Sequence, residues 1–155
     1  MEGTGKQMAS VGLVSCVSRK RSEATEAADL YQSALFKKAR EYVERHCDRW
    51  YVLSAKYGLV DPRRVIEPYE ETLNTKPRAE REQWASRVWT DLQSKLNQGD
   101  RVILLAGERY REDLVPQLVQ YGCTVEVPMK GLRIGRQLQW LSRQLLPSDS
   151  SSRSR

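Results

Sequence analysis

Ser54, Lys56, Tyr57 and Gly58 stand in one short run, and Asp61, Glu67, Pro68, Tyr69 and Glu70 follow closely. Gly58 permits a positive φ or a close backbone approach, and Tyr57 and Tyr69 offer flat faces on which a base can stack. Carboxylates set among aromatics can activate a water or stabilise a cationic transition state. The alternative is that Pro68-Tyr69 is a packing corner and the acids are simply solvated.

Three more loops have comparable content. Ser15-Cys16-Val17-Ser18-Arg19-Lys20 combines hydroxyls, a thiol and basic side chains. Cys16 there is either a nucleophile or, more commonly for such a site, a small buried residue ending a strand. Ala106-Gly107-Glu108-Arg109-Tyr110-Arg111 places Gly107 where the free amides of a starting helix bind anions, with Tyr110 one turn on. Pro128-Met129-Lys130-Gly131-Leu132 repeats that logic, with Arg133 and Arg136 flanking the helix that follows. Glycine at such positions is also plain turn chemistry. No loop is a Walker or GxGxxG turn, so nucleotide-triphosphate and dinucleotide binding have no motif.

What positions these loops is an alternation of short apolar runs and longer stretches of helical spacing. Val11 to Val14, Trp50 to Leu53, Arg101 to Leu105 and Thr124 to Val127 read as strands. Between them, helices are expected over Ala28 to Cys47, along the stripe Trp84, Val88, Leu92 and Leu96, and from about Arg111 to Tyr121, where Gly122 caps the end. Ile134, Leu138, Leu141 and Leu145 give a closing helix its apolar face. The order β-α-β-α-β-α-β-α predicts a small doubly wound α/β domain with a mainly parallel four-stranded sheet and helices on both faces. All four loops then leave one carboxyl edge, where open α/β folds hold ligands.

The chain has 155 residues, the size of one domain, read here as residues 11–146 between a disordered segment 1–10 and a disordered Ser/Arg tail 147–155. A net charge of +6 and a pI near 9.4 favour anionic partners, nucleic acid first. Cys16, Cys47 and Cys123 lack ligand or disulfide spacing, which suggests neither a zinc site nor a disulfide framework and suits a reducing cytoplasm. His46, the single histidine, falls at a helix end opposite the loops, so neither a histidine-based triad nor a histidine metal centre is expected. No cofactor or metal is called for, and neither a signal sequence nor a membrane span is visible.

At these loops the sequence resembles the peroxide-stress YaaA family, through Leu53-Ser54, Tyr57-Gly58, Pro62, Pro68-Tyr69, Leu105-Ala106, Tyr110 and Lys130-Gly131-Leu132. It resembles more closely a set of short bacterial and phage domains, through Ser15-Cys16, Leu30-Tyr31-Gln32-Ser33-Ala34-Leu35-Phe36, Leu53 to Leu59, Ile66-Glu67-Pro68-Tyr69 and Gly131 to Leu138. That likeness implies a uracil-DNA-glycosylase-like core, DNA as partner, and base excision as the activity to expect. The first loop lacks the Asp-Pro-Tyr-His pattern of uracil-DNA glycosylases, so another acid is needed, with Glu67 favoured over Asp61 and Asp29.

The function expected on this basis is a DNA N-glycosylase acting on a modified base, in keeping with defence against phage whose DNA is modified. Tyr31, Tyr57 and Tyr69 would stack the flipped base, and Lys20, Lys56 and Lys130 would contact phosphate. Ser15, Cys16, Ser54, Gly58, Gly107, Tyr110 and Gly131 complete the expected substrate-binding set. The alternatives are a non-catalytic DNA-binding stress-response protein and an enzyme on free nucleotides.

Overall fold

A computed structural model describes residues 8–15 and 20–147. The expected disordered segments 1–10 and 147–155 lie mostly outside these residues, as does Cys16. Strand β1 (Ser10–Ser15) is apolar on both faces, with Val11, Leu13 and Val14 fully buried, as a central strand of a parallel sheet requires. It pairs in parallel with β3 (Arg49–Ser54) on one side and β6 (Arg101–Leu105) on the other, and β6 pairs in parallel with β7 (Thr124–Glu126).

The sheet has five strands and is mixed, which corrects the four-stranded expectation. Gly58–Val60 forms β4, antiparallel to β3, in the order β4-β3-β1-β6-β7. The run Ser54 to Gly58 is therefore a hairpin turn. Ser54 Oγ accepts the Tyr57 N–H at 2.9 Å, and Gly58 takes φ +77° where the second strand begins, the left-handed residue that closes a three-residue hairpin loop. A second, two-stranded ladder pairs β2 (Thr25–Glu26) with β5 (Val65–Ile66).

Helix α2 (Ala34–His46) and α6 (Ile134–Gln144) cover one face of the sheet, joined by the ring contact of Tyr42 with Trp140. The other face carries α3 (Arg78–Gln93), the short α4 (Glu108–Arg111) and α5 (Val115–Tyr121), with Trp84 against Tyr110 and Trp89 against Tyr121. Two expected helices are broken. The first splits at Tyr31, whose backbone is extended, into α1 (Ala27–Leu30) and α2, which Ser33 caps by accepting the Phe36 N–H at 3.1 Å. The third splits before Pro116, which has no N–H to give and clashes with the preceding turn. Gly122 caps α5 at φ +108°, as expected.

α2 approaches β1 closely because Gly12 has no side chain. A Cβ there would lie 2.6 Å from Val43 Cγ1 and 3.2 Å from Cys47 Sγ. Gly12→Ala must push α2 off the sheet, and we expect it to cost about 1–3 kcal/mol in urea denaturation. A change below about 0.5 kcal/mol would mean that the helix yields freely.

Candidate functional site

In this strand order the connection leaving β1 turns toward β3 and the one leaving β6 turns toward β7. The carboxyl ends of β1 and β6 thus part at a topological switch point, where open α/β sheets form a crevice. A cleft of about 520 Å³ opens there. Ser15 and the segment Leu104 to Gly107 make its floor, with the Gly107 N–H donating to Ser15 Oγ at 3.2 Å across the two strand ends. One wall is the entry to α2, with Leu35 and Phe36. Opposite stand Met129 and Leu132 of the loop after β7, then Ile134, Gln137 and Leu138 of α6. Asn74 and Glu108, both exposed, stand at the rim with Arg111, and the buried Tyr110 completes the lining.

Mostly apolar walls with a few convergent polar groups suit an organic ligand with a flat or apolar body, and the volume falls in the usual range for small-molecule sites. Glu108 is the one carboxylate among the described lining residues. Its short helix is held from two sides. The buried Tyr110 hydroxyl accepts the Leu73 N–H at 3.3 Å and lies 3.4 Å from Thr72 Oγ1. That fixes the 3-10 turn Leu73–Thr75, which supplies Asn74. Arg81 of α3, itself buried, donates to Glu112 Oε2 at 3.0 Å and to the Lys76 carbonyl at 2.7 Å. Arg111 donates to the Ala106 carbonyl at 3.0 Å, which orients its guanidinium at the rim.

Of the residues singled out by sequence, the cleft brings together Ser15, Gly107, Tyr110 and Gly131. Lys130 precedes Gly131, whose φ of +81° sets the turn between Met129 and Leu132. The remaining candidates lie elsewhere. Tyr31 is 1% exposed, its hydroxyl 2.6 Å from that of the buried Tyr69, so neither ring offers a free face without rearrangement. Lys20 sits over Tyr69 at 4.4 Å from the ring centroid. Tyr57 packs edge-on against Tyr69 with Lys56 and Arg64 each 5.3 Å from its centroid. This cluster backs the cleft, because Tyr31 packs on Phe36 at 4.8 Å between centroids.

Ser54 is fully buried; besides the hairpin bond, its carbonyl accepts the Trp84 Nε1–H at 2.8 Å. None of the three expected acids lines the cleft. Asp29 is ion-paired with Arg40 at 2.7 Å, Asp61 accepts the Arg63 N–H at 2.9 Å to hold its turn, and Glu67 is exposed. Sequence reasoning passed over Glu108, Asn74 and Gln137. The signal for Glu108 was present, an acid next to Gly107 at a strand-to-helix turn, but such residues also serve merely to start helices.

Away from the cleft, His46 is exposed at the end of α2, and Cys47 is half-buried beside it. Burial pushes the Cys47 thiol up to about 11, with Asp48 adding to the shift and Arg101 opposing it. Its thiolate is scarce at pH 8, and iodoacetamide labelling followed by peptide mass mapping should find Cys47 modified roughly a hundredfold more slowly than in urea-unfolded protein. Equal rates would contradict the burial. Among the described residues no three His, Cys, Asp or Glu side chains are grouped to hold a metal, and no helix is long and apolar enough to cross a membrane.

Fold and cleft together define the class: an open α/β domain with a mixed sheet and a ligand-sized cleft at its switch point. Residues 11–143 match DUF6884, a family of unknown function, and the chain belongs to that family. No curated protein and no solved structure matches it. The match carries no link to the YaaA family or to uracil-DNA-glycosylase-like proteins.

Proposed function

We propose that this chain is a nucleic-acid N-glycosylase, built on a uracil-DNA-glycosylase-like core, that holds a flipped and modified base in the switch-point cleft and hydrolyses its bond to the sugar. The observation that carries this reading is a mostly apolar cleft of about 520 Å³ in which Glu108 is the one carboxylate among the described lining residues. Apolar walls take the faces of a base, and the volume leaves room for a substituent on it.

In the reaction, the oxygen of a water bonds to the anomeric carbon as the C–N bond breaks, and the bond's electron pair leaves with the base. Glu108 takes the water's proton and stabilises the positive charge that builds on the sugar. The departing base nitrogen takes a proton from solvent water and Glu108 returns its proton to solvent, so the products are the free base and an abasic sugar. Arg111, Asn74 and Gln137 can donate hydrogen bonds to the base's edge and to negative charge developing on it.

Incubation with oligonucleotides carrying a panel of modified pyrimidines and purines, followed by alkali, converts each abasic site into a strand break. Breaks at particular modified bases are the expected result. Binding without breaks anywhere on a broad panel would leave a non-catalytic DNA-binding protein instead. An activity confined to free nucleosides would leave an enzyme on small substrates.

A further inference from the structure

One wall of the cleft belongs to a stretch of chain with basic side chains and no acids. Between Glu126 and Pro147 the sequence contains Lys130, Arg133, Arg136 and Arg143 and no Asp or Glu. Several helix cations elsewhere are matched by acids one turn away: Arg40 with Glu44, Arg45 with Glu41, Arg78 with Glu82. Lys130, Arg133 and Arg136 are exposed, and none of them makes an ion pair with a described carboxylate. They also interleave with residues that line the cleft, namely Met129, Leu132, Ile134 and Gln137. The segment 129–137 thus supplies both lining residues of the cleft and three exposed cations interleaved with them. Ile134, 62% exposed, adds apolar surface between the charges.

We infer that Lys130, Arg133 and Arg136 form the phosphate-binding lip along which a polynucleotide strand lies while one of its bases enters the cleft. The inference rests on the base-binding reading of the cleft and adds the polymeric nature of the substrate to it. Clustered exposed cations raise the local positive potential, and a phosphate backbone neutralises them while releasing its own counterions.

The test is binding of fluorescein-labelled single-stranded oligothymidylate, followed by anisotropy across a salt titration. Unmodified thymine keeps binding separate from hydrolysis, so a failure here does not decide the fate of the glycosylase reading. Lys130→Gln/Arg133→Gln/Arg136→Gln should weaken binding about tenfold or more and make the slope of log affinity against log salt shallower by about 2. Arg63→Gln/Arg87→Gln/Lys95→Gln, which removes equal charge elsewhere, should leave the slope as it was. If the triple variant does not fold, Lys130→Gln and Arg136→Gln singly should each reduce the slope by about 0.7. An unchanged slope, or an equal loss in the matched control, overturns the assignment. So does displacement of the oligonucleotide by millimolar thymidine monophosphate or inorganic phosphate, which would make the lip a site for small phosphates.

Discussion

Glu108→Gln is expected to slow base release about a thousandfold in kcat while leaving the fold and oligonucleotide binding as they were. The magnitude is that of removing a general base together with its charge from the developing cationic sugar. Glutamine keeps the shape and hydrogen-bonding reach of the side chain, yet it neither accepts the water's proton nor opposes positive charge. Glu108 is exposed, so its stability cost should lie within about 0.5 kcal/mol. Single-turnover assays on the substrate found by alkaline cleavage, with urea denaturation alongside, measure both. Glu67→Gln, Asp61→Asn and Asp29→Asn supply the contrast, since these acids line other surfaces. If Glu67→Gln or Asp61→Asn loses activity and Glu108→Gln keeps it, the reacting sugar lies against the 54–70 segment; if Asp29→Asn does so, it lies against α1.

Asp100→Ala should cost about 3 kcal/mol of stability, the largest loss expected from any polar substitution here. The carboxylate is fully buried at the amino edge of the sheet. It accepts the Ala9 N–H at 3.0 Å and the Asn97 N–H at 2.9 Å, with Arg49 Nη2 at 4.0 Å. It thereby joins the entry to β1 to the turn before β6, the two central parallel strands. Alanine leaves two donors without their acceptor and an arginine without its counter-charge, at roughly 1–3 kcal/mol for each orphaned group. Asp100→Asn retains an acceptor oxygen and should lose about half as much. Because the residue lies at the opposite edge from the cleft, activity per folded molecule should persist. A urea-derived loss below about 1 kcal/mol would show that water replaces the carboxylate readily.

The parallel strands were legible in the sequence because Val11 to Val14 and Val102 to Leu105 are apolar without alternation, the mark of strands buried on both faces. β4 was not, since Gly58-Leu59-Val60 is too short to show a period. Ser54, Tyr57 and Gly58 drew attention as reactive types, and the structure gives Ser54 and Gly58 the work of a hairpin turn. Hydroxyl, aromatic and glycine residues serve turns and sites equally well, and only long-range pairing tells which. Tyr31 and Tyr69 illustrate the same limit. Their hydroxyls meet across 38 residues of sequence, a partnership that no local pattern reveals. The shared carboxyl edge was readable from the alternation of elements. Which loops meet there depended on strand order, and that order put β1, β6 and the loop after β7 around the cleft while sending Asp61 and Glu67 elsewhere.

Amide chemical-shift mapping of ¹⁵N-labelled Glu108→Gln protein, titrated with single-stranded oligonucleotides from the modified-base panel, tests the place of the base most directly. If the base enters the switch-point cleft, the largest shifts fall on Ser15, Gly107, Gly131 and Leu132. Shifts confined to Tyr57, Asp61 and Glu67 would contradict it.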